Sequence, residues 1–179
     1  AKVQATMDSL TGVANRRGFD ETIEQMLREH VVGDAGPSVV LIDLDHFKQI
    51  NDRFGHQAGD QVLRESAALL LESLAPGDRL ARWGGEEFVA LITRYDRQTV
   101  VADVQRMLQR LAGHAFFPPA AAAGGAPFER LINRFDDTAP APLEADTTRR
   151  MPVTASAGLA FIRERSTFAD VMNQADVAL

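Results

Sequence analysis

The sequence predicts an α/β fold, an α+β sandwich of ferredoxin-like or palm type with helices packed over a mainly antiparallel central sheet. Three observations predict it. Helical and extended segments alternate along the 179 residues. Residues 38–45, SVVLIDLD, form an almost continuous apolar run, which is typical of a central strand buried on both faces. Residues 78–93 have the pattern of strand, glycine turn and strand, which indicates a hairpin.

The individual elements follow from the spacing of apolar residues, three or four apart in helices and continuous or alternating in strands. A turn-rich start leads into the first helix, where Phe19, Ile23 and Met26 fall at helical spacing. Residues 46–60 mix short helical and turn signals. The predicted order is a helix within 9–30, strand 38–45, the mixed segment, helix 61–74, hairpin 78–93, helix 97–113, strand 151–162 and helix 167–179.

Residues 114–150 interrupt this alternation. They are rich in Ala, Pro and Gly, and only the short segment FERLINRF within them has helical character. Connections of this length are uncommon inside a compact domain. We therefore expect a single domain over 1–179 that carries a surface insertion at 114–150.

Composition excludes several classes of protein. The net charge of −6 and the pI of about 5.2 disfavour binding to a nucleic acid polymer, which needs a basic face. The absence of cysteine excludes disulfides and thiolate metal sites. No apolar run is long enough for a membrane span, and residues 1–10 lack the apolar core of a signal peptide. We expect a cytoplasmic domain without membrane contact of its own, although a preceding region of a longer protein could anchor it.

Acidic residues occur at two positions that the predicted sheet would bring together. Asp43 and Asp45 lie at the end of the central strand, and Glu86 and Glu87 directly follow Gly84 and Gly85. If the hairpin pairs beside the central strand, the glutamates arrive next to Asp43. Carboxylates suit Mg²⁺, which takes oxygen ligands and shares phosphate oxygens and water. Each acid alone is better explained as a strand-end cap or a solvated charge, but the two motifs together favour a metal site that a triphosphate shares.

Five segments carry a family resemblance: DSLTGVANRRGF (8–19), LIDLDHFKQINDRFGHQAGD (41–60), RWGGEEF (82–88), VTASAGLAF (153–161) and ADVAL (175–179). In this order they resemble the GGDEF domain of diguanylate cyclases, with a GGEEF variant of the signature. The resemblance implies an enzyme that condenses two GTP molecules into cyclic di-GMP and releases two pyrophosphates. It also implies Mg²⁺ as cofactor, with Mn²⁺ as a substitute, and a regulatory domain upstream of this chain.

For the catalytic centre, the resemblance implies that Asp43, the Leu44 carbonyl and Glu86 bind the metal ion. Glu87 would be the second acidic partner. Whether Glu86 or Glu87 takes the proton from the ribose 3′-hydroxyl stays open. Lys48 would stabilise the phosphates, and its position soon after the strand suits neutralisation of charge on a phosphate.

For the base, the resemblance assigns the guanine edge to Asn51 and Asp60 and places His56 in the same pocket. An amide and a carboxylate together complement the O6 acceptor and the N1–H and N2–H donors of guanine. The alternatives are a turn residue for Asn51, a helix N-cap for Asp60 and a packed side chain for His56.

The remaining contacts implied by the resemblance lie around this pocket. His46 and Phe47 belong to a turn whose backbone N–H groups would meet the phosphates. Leu10 and residues 15–17 would border the base. Because the product is a two-fold symmetric ring, we expect a transient homodimer in which each protomer presents its GTP to the other.

The chain departs from the family at a regulatory position. Many members carry an Arg-x-x-Asp product-inhibition site five residues before the signature. Here Ala75 replaces the arginine, while Asp78 remains. We therefore expect no high-affinity product binding at that surface, because the bidentate partner for a phosphate or guanine edge is missing.

Two other functions compete with this interpretation. A catalytically silent GGDEF-type module could bind GTP or cyclic di-GMP as a receptor, although the intact signature disfavours it. A nucleotide cyclase or polymerase palm shares the fold logic and the metal chemistry. It is disfavoured because the spacing from Asn51 to Asp60 has no purpose there.

Overall fold

The computed structural model describes residues 6–29, 37–93, 96–119, 150–162 and 167–177. Five strands and five helices lie within these ranges. The strands are β1 (Ala14–Asn15), β2 (Ser38–Leu44), β3 (Arg79–Arg82), β4 (Glu87–Ile92) and β5 (Ala155–Phe161). The helices are α1 (Arg16–Glu29), α2 (Phe47–Phe54), α3 (His56–Glu72), α4 (Arg97–Gly113) and α5 (Phe168–Val177).

The strands form one sheet in the order β1-β3-β4-β2-β5. Strand β2 is central and runs antiparallel to both neighbours, β4 and β5. Strands β3 and β4 form the predicted hairpin. Only β1, a two-residue strand that the sequence pattern did not predict, pairs in parallel, with β3. The predicted mainly antiparallel α+β fold is confirmed.

Two apolar layers cover the two faces of the sheet. Val39 and Leu41 of β2 belong to a core cluster that includes residues of α1 and α5. Val40 and Ile42 belong to a second cluster that includes residues of α2, α3 and α4. Because side chains alternate along a strand, Asp43 continues the row of Val39 and Leu41. Asp43 therefore lies on the α1/α5 side, where the apolar layer ends.

The mixed segment 46–60 is a helix, one glycine and the start of a second helix. Gly55, with φ 86° and ψ 161°, separates α2 from α3. Glycine tolerates this positive φ better than any other residue. Helix α3 thus begins at His56 rather than at the predicted residue 61, and Asp60 is its fifth residue. The interpretation of Asp60 as a helix N-cap is wrong, since Gly55 occupies the cap.

Side chains cap the starts of α1 and α4. Asn15 Oδ1 accepts a hydrogen bond from Gly18 N at the start of α1, and Asp96 accepts one from Thr99 N at the start of α4. The longest described helices, α3 and α4, have 17 residues each. None of the helices in the described ranges has the length and apolarity that crossing a bilayer requires.

The predicted insertion at 114–150 falls mostly, over 120–149, outside the described residues. Its two flanks are described and lie side by side, because Phe116 and Met151 form an isolated antiparallel bridge. Both side chains are fully buried. Arg150 donates to the carbonyl oxygen of His114 (3.1 Å) at the end of α4. The predicted strand 151–162 is shorter than expected, since regular pairing with β2 begins only at Ala155.

Candidate functional site

The acidic residues of the two motifs meet where β2 and β4 lie side by side. In the antiparallel register Asp43 is directly opposite Glu87 on one side and Ser156 on the other. Directly opposed residues in such a pair have Cβ atoms about 4.5–5.5 Å apart. The condition set by the sequence, that the hairpin pairs beside the central strand, is therefore met.

The glycine turn brings the second glutamate to the same place. Glu86 precedes β4, and its carbonyl oxygen accepts a hydrogen bond from Leu44 N (3.3 Å). The backbone of Leu44 and the backbone of Glu86 are thus neighbours. Asp43, Leu44, Glu86 and Glu87 converge on one edge of the sheet, and their three carboxylates are all partly buried.

The backbone of the first glycine of the turn lies close to the Glu87 carboxylate. A Cβ atom at Gly84 would lie 2.6 Å from Glu87 Oε2, so a side chain there would displace this carboxylate. Gly85 has no atom within 4 Å of the same position and is exposed. The turn closes through a hydrogen bond from Trp83 N to the Glu87 carbonyl (2.8 Å). Gly85 therefore leaves open space beside the acids, whereas the space at Gly84 is taken by the Glu87 carboxylate.

Arg82 stabilises this turn, a role that the sequence pattern does not indicate. Its Nε and Nη2 donate to the Gly85 carbonyl (3.1 and 2.7 Å). Its Nη1 contacts the carboxylate of Asp8 (3.3 Å), which also accepts from Thr11 N. Both Arg82 and Asp8 lie inside the segments that carry the family resemblance. Their pairing joins residues 74 positions apart in the chain and could not be derived from local spacing.

Burial and the neighbouring carboxylates raise the pKa values of two of these acids. Burial raises the pKa of Asp43, and the nearby charges of Glu86 and Asp45 raise it further. Burial also raises the pKa of Glu87, followed by the charges of Asp43 and Glu86, while Arg16 opposes the shift. The group therefore carries unneutralised negative charge that a cation would relieve.

Side chains alone do not complete a metal site here. In the described part of the chain, no three His, Cys, Asp or Glu side chains are grouped closely enough to hold an ion. A cation beside Asp43 and Glu86 would need a backbone carbonyl, ligand oxygens and water for its remaining ligands. This donor set fits Mg²⁺, which usually takes one or two carboxylates and keeps several waters.

Asp45, which the sequence analysis grouped with Asp43 at the end of the central strand, forms its hydrogen bonds with residues at the start of β5. It lies beyond the end of β2, and its two oxygens accept hydrogen bonds from Thr154 Oγ1 (2.6 Å) and Ser156 Oγ (2.7 Å). Its N–H also donates to the Thr154 carbonyl (2.9 Å). Asp45 thus fastens the loop after β2 to strand β5.

The loop after β2 turns sharply into α2. His46, the residue before α2, has a left-handed backbone (φ 55°, ψ 27°), the only such non-glycine residue in the described ranges. Its side chain is exposed, Phe47 is buried and Lys48 is exposed in the first turn of α2. Because only two residues separate β2 from α2, this turn lies at the same sheet edge as Asp43.

The predicted base-binding residues lie on the helix pair that follows. Asn51 is in α2 and Asp60 in α3, and both are partly buried. Asn51 is therefore helical rather than a turn residue. His56 is exposed at the first position of α3, so the packed alternative for it is wrong. Leu10 is partly buried and packs against the core cluster that includes residues of α2 and α3.

Asp78 has a structural task that the sequence did not indicate. It is 7% exposed. One carboxylate oxygen accepts from Ala75 N (3.0 Å), and the other accepts from Thr93 N (2.9 Å) and Thr93 Oγ1 (3.1 Å). The carboxylate thus closes the turn before β3 and ties it to the end of β4.

Comparisons with known proteins agree with this architecture. A family model described as "Diguanylate cyclase, GGDEF domain" matches residues 5–122. The response regulator PleD of Caulobacter vibrioides is 39% identical over 121 residues, which are 68% of this chain and 26% of PleD. The diguanylate cyclase DgcM of Escherichia coli is 42% identical over 95 residues, which are 53% of this chain and 23% of DgcM.

A solved structure supports the same assignment. The GGDEF domain of DgcB from Caulobacter crescentus, in complex with c-di-GMP, superposes with a TM-score of 0.77 and 27% identity. The match covers 99% of this chain and 90% of that one. The chain spans about a quarter of the length of the curated relatives PleD and DgcM. Motifs, fold and family model together show that this chain belongs to the GGDEF domain family of diguanylate cyclases.

Proposed function

We propose that this domain is a diguanylate cyclase that condenses two GTP molecules into cyclic di-GMP and two pyrophosphates. The observation that supports it most is the placement of Asp43 directly opposite Glu87, with Glu86 beside them on a glycine turn. Two of these carboxylates, those of Asp43 and Glu86, together with a backbone carbonyl, would leave room for a cation to share the oxygens of a triphosphate. The names of the relatives are consistent with this chemistry.

In the proposed site, Asp43, the Leu44 carbonyl and Glu86 hold Mg²⁺ or Mn²⁺. When bound, the metal would neutralise charge on the triphosphate and help to align it. Lys48 faces the phosphates at the start of α2 and offsets the charge that develops during transfer. The backbone N–H groups of the turn at His46 and Phe47 bind phosphate oxygens, which suits the start of a helix.

The reaction forms two phosphodiester bonds. In each, the ribose 3′-oxygen of one GTP bonds to the α-phosphorus of the other, and the bond from that phosphorus to the α–β bridging oxygen breaks. Pyrophosphate leaves, and Glu86 or Glu87 accepts the 3′-hydroxyl proton.

Recognition of the base is proposed for Asn51 and Asp60, with His56 and Leu10 at the border of the pocket. Leaving such polar groups unpaired would discriminate strongly against ATP. Because each domain binds one GTP and the product contains two, turnover requires a transient homodimer of facing domains. GTP binding does not require it.

A receptor without turnover is the second candidate. The DgcB domain was solved in complex with c-di-GMP, so a domain of this fold holds that ligand. In this chain a receptor role would have to use the catalytic pocket or a surface other than the Ala75–Asp78 turn. Ala75 offers no side-chain donor, and the Asp78 oxygens are already used within the turn and at Thr93.

The test is to incubate concentrated protein with GTP and Mg²⁺ or Mn²⁺ and to quantify cyclic di-GMP by chromatography. Glu86→Gln and Asp43→Asn should lower the rate at least a hundredfold, whereas the exposed surface variant Glu72→Gln should keep it. Saturable binding of cyclic di-GMP without any product, at protein concentrations where the domain dimerises, would instead support the receptor.

A further inference from the structure

Gly59 leaves space that the side chain of Asn51 fills. Gly59 is buried at the fourth position of α3, where it faces α2. A Cβ atom on its backbone would lie 2.0 Å from Asn51 Oδ1, 2.9 Å from Asn51 Cγ and 3.2 Å from Phe47 Cζ. Real Cβ atoms essentially never approach other atoms within 3.0 Å. Asn51 therefore occupies volume that any residue other than glycine would claim.

The backbone around this contact fixes where the two helices meet. Gly55 N donates to the Asn51 carbonyl (2.8 Å) at the end of α2, and Gly59 N donates to the Gly55 carbonyl (3.2 Å) in the first turn of α3. The helices are thus joined by one residue and fold back on each other. The amide of Asn51 lies against the backbone of Gly59, and Asp60 is the next residue.

We propose that Gly59 is a positioning residue for base recognition. Because it has no side chain, the Asn51 amide can lie against the backbone directly before Asp60. This inference rests on the proposed function, in which these two side chains bind guanine. An alanine would force Asn51 Oδ1 to withdraw by about 1 Å before the contact reached 3.0 Å. A displacement of about 1 Å can cost on the order of a hundredfold in activity.

The stability of the fold and the affinity for the nucleotide should respond differently to Gly59→Ala. The colliding atoms belong mainly to the end of a side chain, which can rotate away while the helices stay in place. Alanine is also a better helix former than glycine. Gly59→Ala should therefore keep or raise the melting temperature while it weakens nucleotide binding. A purely structural glycine would show the opposite, namely a lower melting temperature.

The experiment is a double-mutant cycle on this domain. Isothermal titration with a non-hydrolysable GTP analogue and Mg²⁺ gives Kd for the wild type, Gly59→Ala, Asn51→Ala and the double variant. Gly113→Ala, at the end of α4 with no atom within 4 Å of its Cβ position, is the matched control. We expect Gly59→Ala to raise Kd at least tenfold and to reduce the preference over an ATP analogue. In the Asn51→Ala background it should have no further effect.

Three outcomes would overturn the inference: wild-type affinity in Gly59→Ala, an equal loss in both backgrounds, or a melting temperature well below that of Gly113→Ala. Two other results would show that the assignment of the guanine site itself is wrong. These are a wild type without preference for guanine nucleotides and an Asn51→Ala variant that binds them with normal affinity. The two kinds of failure are therefore distinguishable.

Discussion

Replacing Asp43 by asparagine should stabilise the metal-free domain. Asp43 and Glu87 are directly opposed on neighbouring strands, and Glu86 lies beside them. Like charges directly opposite in a sheet destabilise it. The Cβ atoms of such opposed residues are about 5 Å apart, and at this distance two charges with water-like screening repel each other by about 1 kcal/mol. Asp43→Asn should therefore raise the free energy of unfolding by about 1 kcal/mol, or the melting temperature by about 3 °C at this size.

The pH dependence follows from the raised pKa values of Asp43 and Glu87, whose ordinary values are 3.8 and 4.5. Burial is the largest cause, and the neighbouring carboxylates add to it. A raised pKa in the folded state means that this state binds protons more readily than the unfolded chain. Ionised Asp43 thus lowers the free energy of unfolding by its full amount near pH 7, and this loss disappears as the pH falls through the folded-state pKa. The stability difference between Asp43→Asn and the wild type should shrink in the same pH range.

The assay is thermal unfolding in EDTA and again with Mg²⁺, from pH 7 down to pH 4. Asp52→Asn, an exposed aspartate in α2, controls for the change in net charge. Mg²⁺ should raise the melting temperature of the wild type and of Asp52→Asn, since a ligand stabilises the state that binds it. It should not raise that of Asp43→Asn. An Asp43→Asn protein less stable than Asp52→Asn in EDTA at pH 7 would refute the reasoning.

Three further predictions concern the residues around this site. Arg82→Ala removes the hydrogen bonds that hold the glycine turn and should lower cyclase activity at least tenfold, whereas Arg79→Ala, in the same strand, should stay near wild type in the chromatographic assay. Asp78→Ala removes the acceptor of two partly buried backbone N–H groups, those of Ala75 and Thr93, and should cost about 2–3 kcal/mol in urea unfolding, and a loss under 0.5 kcal/mol would contradict its structural role. Cyclic di-GMP titrated calorimetrically into Glu86→Ala should show no tight saturable binding, because Ala75 replaces the arginine of the product-inhibition site. Tight binding outside the catalytic pocket would contradict this expectation.

Local pattern was sufficient for most of the fold. The apolar run of β2 predicted a central strand, and the chain places it between β4 and β5. The predicted bounds of α4, residues 97–113, are those observed. The start of α3 was missed because Gly55 suggests a turn, yet a single glycine with positive φ joins two helices without any loop.

The sequence by itself also indicated which residues could form the proposed site, since Asp43 lies near the end of one strand and Glu87 begins the second strand of a hairpin. Their meeting depended on a pairing between segments more than 40 residues apart, which periodicity does not encode. Only the tertiary structure decided that Asp45 accepts a hydrogen bond from β5, that Arg82 donates to the carbonyl of the glycine turn and that Gly59 leaves space for Asn51. The physical reason is that a side chain's partners are set by register and helix packing, whereas spacing along the chain fixes only the face on which it lies.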